Sequence, residues 1–178
     1  LVEQKGVDDF IRVAYELQGI RDDCSFIVVG DGPLRRSLEE FGRKLGVPII
    51  FAGDQNNIPS ILPLFDIFLF TSKWEPFGIV LLEAMAAGIP IAGFDVQGAR
   101  EVLIRAGNSM LIKKRNHIEL AGAVDRLLSD PLRHKTLSLQ GKENVEKYFD
   151  IRGRIAVLQD EYRQLVLNRT EKCQGSVC

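Results

Sequence analysis

Short apolar runs alternate with amphipathic segments through the first two thirds of the chain. Four runs rich in β-branched and aromatic residues predict β-strands, at 25–30, 48–53, 66–70 and 90–94. Segments with helical periodicity lie between and after them, at 34–46, 57–64, 78–87 and 98–104. Because parallel strands need crossover helices, this alternation predicts an α/β fold with a doubly wound parallel sheet, Rossmann-like in architecture and covered by helices on both faces.

The last third of the chain has a helical pattern only. The stretch HIELAGAVDRLLSD (117–130) carries one apolar stripe, and further helices are predicted at 131–148 and 151–167. We therefore expect a single domain over residues 1–167 that ends in helices, followed by a disordered polar tail over residues 168–178.

Composition and charge exclude several classes of partner. The 178 residues are 46% hydrophobic and 26% charged, which suffices for a real core. Lysine and arginine total 23 against 24 aspartates and glutamates, so the net charge of -1 provides no overall field for nucleic acid or an anionic membrane. Any anion must therefore be bound at a local site, and no nucleic-acid partner is expected.

The cysteines and histidines fit no metal or disulfide pattern. Cys24, Cys173 and Cys178 are odd in number, and only two histidines accompany them. We expect reduced thiols, no metal and no cofactor. No apolar stretch has the length of a membrane span and no signal peptide opens the chain, so a cytoplasmic location is predicted.

A glycine pair follows the first predicted strand. Gly30 and Gly32, in VGDGPLRRSLEE, lie between strand and helix, where a residue without Cβ lets backbone amides approach a ligand. The sequence lacks the third glycine of a dinucleotide fingerprint and the Gly-Lys-Ser/Thr of a phosphate loop. A tight structural turn explains the pair equally well.

The stretch TSKWEPFGIVLLEAMAAG after the third strand carries the strongest chemical signal. A helix is predicted to begin near Phe77 or Gly78, which places the backbone amides of Gly78, Ile79 and Val80 at its N-terminus. Unpaired amides and the positive end of a helix dipole suit a diphosphate. The ends of parallel strands are also where ligands bind in such folds.

Two carboxylates bracket this helix start. Glu75 precedes the helix and Glu83 lies one to two turns inside it, so both can accept hydrogen bonds from hydroxyl groups on either side of a bound diphosphate. A ribose and a sugar would supply such hydroxyls. Glu75 could instead favour the helix start electrostatically, and Glu83 could be a solvated position. Because the residues around Glu83 are apolar on nearly all sides, we expect its helix to be buried and its charge to be functional.

These residues also carry a resemblance. EPFGIVLLEAMAAGIP resembles the Glu-x7-Glu signature of retaining glycosyltransferases with the GT-B fold, in the glycosyl transferases group 1 family. LVEQKGVDDFIRV, VVGDGPLRRSLE and IELAGAVDRLLSDP are similar to further segments of that family in the same order. The similarity covers roughly residues 1–167 and implies the C-terminal, donor-binding half of a GT-B fold.

The resemblance implies roles for individual residues. Glu75 would contact hydroxyls of the transferred sugar and Glu83 those of the ribose, while the helix amides would hold the diphosphate. Lys5 matches the phosphate-binding lysine of the family, whose charge would stabilise the leaving diphosphate. Phe77 and Gln55 are counted with the donor-binding residues, Gln55 near the base. Lys5 as a solvated loop lysine and Gln55 as a polar surface residue remain alternatives.

The first residues of the chain limit what it is expected to do alone. In the family an arginine precedes the lysine by five positions, at the end of a central strand, and this chain begins one residue too late to contain it. We expect the strand and the arginine to be lacking, and the chain alone to bind a nucleotide weakly without transferring sugar. An acceptor glycan or lipid would bind through a separate N-terminal domain, which could also place the enzyme at the inner face of the membrane.

Some positions depart from the usual family pattern. Gln97 stands where a glycine is common, and it is either a tolerated loop residue or one that reshapes the sugar pocket. Lys113 and Lys114 replace a proline and an acidic residue after the late strand, whereas Glu101 fits the acidic position of the family.

As the resemblance implies, the full-length enzyme would move a hexosyl group from a UDP-, GDP- or ADP-hexose to an acceptor hydroxyl with retention. A same-face displacement assisted by the leaving phosphate fits better than a carboxylate nucleophile, because Glu75 and Glu83 are both assigned to hydroxyls. A sugar-nucleotide epimerase and a non-catalytic nucleotide- or protein-binding module are the alternatives.

Overall fold

The computed structural model describes the backbone of residues 1–174, and the side chains of this range except those of Ala106, Arg154 and residues 167–174. The β-strands are β1 Phe26–Val29, β2 Ile49–Gly53, β3 Phe68–Phe70, β4 Ile91–Phe94 and β5 Ser109–Ile112. The α-helices are α1 Val7–Gln18, α2 Arg35–Leu45, α3 Ile58–Ile61, α4 Ile79–Ala86, α5 Arg100–Ala106, α6 His117–Leu128, α7 Pro131–Phe149 and α8 Ile151–Gln174. Short 3-10 turns cover Glu3–Lys5 and Leu62–Leu64.

The predicted alternation of strands and helices is confirmed. Each of the four apolar runs contains a strand, and each predicted helix has a counterpart, although the segment 57–64 divides into α3 and a 3-10 turn that includes Pro63. Pro63 has no backbone N–H to donate to a longer α-helix. The α/β class follows from these elements.

Helix α1 was not predicted. Its sequence VDDFIRVAYELQ buries Val7, Ile11, Ala14 and Leu17, which recur at helical spacing on one face. Helix α1 begins directly after Gly6, whose φ of 60° ends the preceding 3-10 turn. Because no longer loop separates the turn from the helix, the helical periodicity of this segment was not recognised in the sequence.

The strands form two parallel sheets instead of the single sheet that the pattern predicted. β1 pairs with β2, and β4 pairs with β3 on one side and β5 on the other. All these pairs are parallel, and each pair of consecutive strands is joined through a helix. Hydrophobic periodicity identifies strands, but it does not determine which of them pair, so the division was not visible in the sequence.

The core lies between the sheets and the helices on their faces. All four residues of β4 are buried, as expected for a middle strand covered on both sides. The largest fully buried side chains include Phe94, Ile11, Leu81, Met85 and Leu120, which come from one strand and three helices. Their burial fixes α1, α4 and α6 against the strands, and therefore fixes the loops at the strand ends.

The C-terminal helices extend further than predicted. Helix α8 continues to Gln174, beyond the expected end at 167, so part of the tail expected to be disordered is helical. Residues 175–178 of that tail lie outside the described residues. Among the described residues, no helix is both long and apolar enough to cross a bilayer.

Candidate functional site

Loops at the carboxyl ends of two neighbouring strands come together in this structure. The loop between β3 and α4 carries Glu75, and the loop between β4 and α5 carries Gly98. Gly98 has a φ of 94°, and a Cβ there would press against the carbonyl oxygen of Glu75 and lie 3.3 Å from that of Pro76. The second loop therefore supports the backbone of the first.

The N-terminal segment packs on the same loop and brings Lys5 to Glu75. The Nζ atom of Lys5 donates to Oε2 of Glu75 at 2.9 Å, although the two residues are 70 positions apart. Glu75 is only 9% exposed, whereas the Lys5 side chain is 46% exposed. A nearly buried carboxylate therefore has a partner of opposite charge that can still reach solvent and a ligand.

This ion pair lies at the N-terminus of α4. Gly78 precedes the helix with a φ of 88°, and a Cβ on it would lie 3.4 Å from Cγ of Glu75. The amides of Ile79 and Val80 belong to the first turn, where the helix itself offers no acceptor. The structure thus places the predicted helix amides, Glu75 and Lys5 together, and this combination can bind an anion beside a hydrogen-bond acceptor.

The expectation that the helix around Glu83 is buried is wrong for the side of the helix that carries this residue. Glu83 is exposed, and so are Ile79 and Ala86, which follow the same ridge of α4 at positions i−4 and i+3. Leu81, with Met85 and Ala84, covers the opposite, buried face. The burial argument for a functional Glu83 therefore fails, although an exposed carboxylate one turn inside the helix remains accessible to a ligand.

Gly30 and Gly32 adopt backbone conformations that favour glycine, with φ of 111° and 155°. At Gly32 the close approach is made by the backbone of Leu1, which accepts a hydrogen bond from the amide of Leu34 at 3.2 Å and whose amino group contacts the carbonyl of Asp31. This packing agrees with the alternative of a tight structural turn.

Gln55 and Phe77 are exposed but have partners within the chain. The Nε2 atom of Gln55 donates to the carbonyl of Ala52 at 2.7 Å in the loop after β2, as expected for a polar surface residue. The ring of Phe77 is 48% exposed and packs edge-on against Phe149 of α7, with 6.5 Å between centroids. Neither residue contacts the Lys5–Glu75 pair through a described hydrogen bond or ring contact.

Further bonds hold the N-terminal segment on the loop after β3. The amide of Lys73 donates to the carbonyl of Gln4 at 2.7 Å, and its Nζ lies 3.4 Å from Glu3 and 3.5 Å from Asp8. Burial lowers the pKa of Lys73, but the charges of Asp8 and Glu3 outweigh it, so the net pKa lies above its ordinary value. Lys73 is therefore a charged anchor between the two segments.

Sequence reasoning missed a charge cluster directly behind this region. Asp9 of α1 is buried, accepts hydrogen bonds from Arg115, and lies 2.7 Å from Nε2 of His117. Because an ionised carboxylate only accepts hydrogen bonds, Nε2 of His117 is the donor in this bond. Burial raises the pKa of Asp9, but the hydrogen bonds of His117 and Arg115 outweigh it and the pKa lies below its ordinary value. The sequence signal that could have identified this cluster was Asp9, which lies next to the buried face of α1, but α1 was not predicted.

Replacing Gly98 by alanine is expected to destabilise the chain by about 1–2 kcal/mol, because a Cβ at a φ of 94° is strained and meets the carbonyl of Glu75. Urea denaturation would measure the free energy of unfolding. Gly153→Ala in α8 is the matched control, since nothing lies within 4 Å of its added Cβ and alanine favours a helix. Equal stability of the two variants would contradict the packing of the two loops.

Comparisons with known proteins agree with this architecture. Residues 1–144 match the model of the family described as glycosyl transferases group 1. The alpha-D-kanosaminyltransferase of Streptomyces kanamyceticus is 33% identical over 135 residues, 74% of this chain and 35% of that protein. The N-acetyl-alpha-D-glucosaminyl L-malate synthase of Bacillus anthracis is 30% identical over 148 residues, 82% of this chain and 38% of that protein. The chain therefore spans little more than a third of these relatives.

Solved structures show the same fold. The C-terminal domain of LpcC, a glycosyl transferase group 1 family protein from Francisella tularensis, has a TM-score of 0.74 and 26% identity, over 85% of this chain and 83% of that one. HepE from Anabaena, in complex with UDP and glucose, has a TM-score of 0.80 and 25% identity, over 93% of this chain and 46% of that one. With the family match across residues 1–144, this chain belongs to the glycosyl transferases group 1 family and has the fold of the C-terminal half of a GT-B glycosyltransferase.

Proposed function

We propose that the chain is the donor-binding domain of a retaining glycosyltransferase that moves a hexose from a nucleotide diphosphate sugar to an acceptor hydroxyl, in the synthesis of a glycan, glycolipid or polysaccharide. The observation that carries this proposal is the Lys5–Glu75 ion pair at the N-terminus of α4. It combines an accessible cation, helix amides and a fixed carboxylate in one place. Solved relatives crystallised with UDP or with UDP and glucose support a nucleotide-sugar donor.

In this proposal the diphosphate binds the amides of Gly78, Ile79 and Val80 together with Lys5. The ammonium group of Lys5 has three donors, so it can bond a phosphate oxygen while it keeps its contact with Glu75. As the bond to the sugar breaks, negative charge grows on the leaving phosphate, and a cation and dipoles fixed in advance stabilise that charge.

Glu75 then accepts hydrogen bonds from hydroxyls of the transferred sugar. Its second carboxylate oxygen, Oε1, is the acceptor that remains when Lys5 occupies Oε2. A carboxylate already compensated by a cation is a weaker nucleophile, so we favour a same-face displacement in which the leaving phosphate takes the acceptor proton. Glu83, on the exposed ridge of the same helix, is the proposed acceptor for the ribose hydroxyls.

The proposal assigns the acceptor site to a part of the enzyme beyond this domain. The chain spans 35% to 39% of the first three relatives by length, so the remainder of such proteins has room for a second domain. Catalysis needs an acceptor hydroxyl beside the anomeric carbon, and proximity of that kind supplies a large part of the rate. We therefore propose that this chain binds donor but does not complete transfer alone.

Calorimetric titration with UDP, GDP, ADP and their hexose conjugates tests the proposal. We expect one base to be preferred, and Glu83→Ala to weaken its binding about five- to tenfold, as for the loss of one solvent-accessible hydrogen bond of about 1–1.4 kcal/mol. Glu146→Ala is the control, because Glu146 is also an exposed helical glutamate but lies on α7.

The sugar conjugates separate the two glutamates. Glu75→Gln should weaken binding of a hexose conjugate more than binding of the matching nucleoside diphosphate. Glu83→Ala should weaken binding of both ligands equally. If replacing Glu75, Glu83 and Lys5 left the affinity for the nucleoside diphosphate unchanged, a non-catalytic binding module would be favoured instead. Absence of binding to all six ligands would contradict the proposed donor site.

A further inference from the structure

Arg115 occupies the junction of the N-terminal segment, the loop after β3 and the start of α6. One edge of its guanidinium donates to the carbonyl oxygens of Thr71 at 2.8 Å and Ser72 at 3.1 Å. Another edge bonds the buried carboxylate of Asp9, and the ring of Phe94 lies 4.7 Å from its central carbon. A partly exposed arginine is thus held by two carbonyls, one carboxylate and an aromatic face.

The two carbonyls belong to the backbone that leads to the candidate site. Thr71 and Ser72 immediately precede the segment that ends in Glu75, and the hydroxyl of Thr71 lies 3.4 Å from the carbonyl oxygen of Lys5. A Cβ at Gly6 would lie 3.3 Å from Nη2 of Arg115. The guanidinium therefore adjoins the backbone that carries Lys5 and bonds the backbone that carries Glu75, while no described hydrogen bond joins it to either side chain.

We propose that Arg115 is a positioning residue for the Lys5–Glu75 pair, with Asp9, His117 and Phe94 holding its guanidinium in the required orientation. The inference rests on the proposed function in one respect, because the consequence of positioning Lys5 is that its ammonium group can bind the diphosphate. A planar guanidinium can bond two carbonyls and a carboxylate at once, whereas an ammonium group is a compact point charge. The bonds in question therefore require arginine in particular.

His117 contributes through Asp9. Its Nε2 bonds Oδ1 of Asp9, which leaves Oδ2 for Arg115, and its ring lies edge-on to Phe94 with 5.9 Å between centroids. Arg115 lies in the connection between β5 and α6, His117 is the first residue of α6, and Asp9 comes from the first turn of α1. The cluster therefore couples the packing of α1 against α6 to the geometry of the site loop.

The first test needs no ligand. Lysine acetylation by acetic anhydride at pH 8, read by mass spectrometry, reports how well each amino group is protected by its surroundings. We expect Arg115→Ala to raise the acetylation rate of Lys5 about two- to fivefold. This factor corresponds to the loss of a partly exposed ion pair that contributes about 0.5–1 kcal/mol. Glu75→Gln should give a similar rise, because it removes the partner directly. An unchanged rate at Lys5 in Arg115→Ala would overturn the proposal.

Arg21 supplies the matched control. Its guanidinium bonds Asp23 at 2.7 Å and Asp125 at 3.1 Å, so it also links the α1 region to α6, but it makes no described contact with the site loop. Arg21→Ala should therefore leave the rate at Lys5 unchanged. If Arg21→Ala raised that rate as much as Arg115→Ala, the effect would be a general loss of packing and the positioning role would be wrong.

The second test uses UDP, GDP and ADP as probes. Arg115→Ala should weaken binding of the preferred nucleotide about three- to tenfold in the natural chain and not at all in a Lys5→Met background, because the effect passes through Lys5. A merely structural role would weaken binding equally in both backgrounds and would contradict the proposal. If the natural chain binds none of the three, the proposed function fails, and the acetylation rates still decide the role of Arg115.

Discussion

Replacing Asp9 by alanine lowers the free energy of unfolding at pH 7 by about 2–3 kcal/mol. The reason is that a buried carboxylate with two partners disappears, and Arg115 and His117 are left beside apolar surroundings without their acceptor. Fully buried pairs cost more to break, but the side chains of Arg115 and His117 are 36% and 27% exposed, so water compensates them in part. Urea denaturation at pH 7 would measure the loss.

The stabilisation that Asp9 provides has a defined pH dependence. The pKa of Asp9 lies below its ordinary value of 3.8, so its contribution to stability is complete above that value and is lost as the pH falls through the pKa of the folded state. The difference in the free energy of unfolding between the natural chain and Asp9→Asn should therefore shrink as the pH falls below about 4. Asp22→Asn, at an exposed position, is the control. A difference that grows as the pH falls below about 4 would contradict the ionised state of Asp9.

Replacing Lys5 by methionine lowers the affinity for a nucleoside diphosphate by about 10- to 100-fold. A hydrogen bond between a charged donor and a phosphate contributes about 1.5–3 kcal/mol, and methionine retains the apolar stem of lysine without its charge. Titration calorimetry with the preferred nucleotide would measure the change. The effect should be present for the diphosphate without sugar, because Lys5 is assigned to the phosphates.

Lys44→Met is the control for the Lys5 variant. Lys44 is exposed in the last turn of α2, and its replacement changes the net charge by the same amount. It should leave the affinity within about twofold of the natural value, since Lys44 belongs to α2 and the charge of a solvent-exposed lysine is screened by salt. Equal losses in the two variants would reduce the role of Lys5 to general electrostatic attraction.

The strands and the start of α4 could be predicted from the sequence because each depends on neighbouring residues. The apolar runs of β1 to β4 and the order Glu75, Pro76, Phe77, Gly78 define local structure whatever surrounds them. The contacts that assemble the site depend on distant residues. Lys5 and Glu75 are 70 positions apart, and Asp9 and Arg115 are 106 apart. Periodicity contains no information about such pairs.

The exposure of Glu83 shows a second limit of pattern analysis. Ile79 and Ala86 lie on the same ridge of α4 as Glu83, and their apolar side chains made that ridge resemble a buried face. Which side of an apolar helix faces solvent is decided by what covers it, and in α4 the covered side is that of Leu81 and Met85. A charged residue among apolar neighbours was therefore weaker evidence for function than the buried Glu75.

The positions that depart from the family pattern pointed to the connection after β5, whereas the family motifs did not. The connection after β5 drew attention through Lys113 and Lys114, yet both are exposed, while the next residue, Arg115, makes the contacts described above. Charged residues in a loop look alike in sequence. The difference arises from Asp9 and Phe94, which contact Arg115 with a carboxylate and an aromatic face but make no described contact with Lys113 or Lys114.

Mapping of a bound nucleotide on the chain by amide NMR tests the central claim most directly. In a titration with UDP, GDP and ADP, the preferred nucleotide should shift the amide resonances of Gly78, Ile79 and Val80 most strongly, together with that of Lys5. Those shifts should be lost in Lys5→Met at the same nucleotide concentration. Shifts confined to other parts of the chain, or none at millimolar nucleotide, would contradict a donor site at the N-terminus of α4.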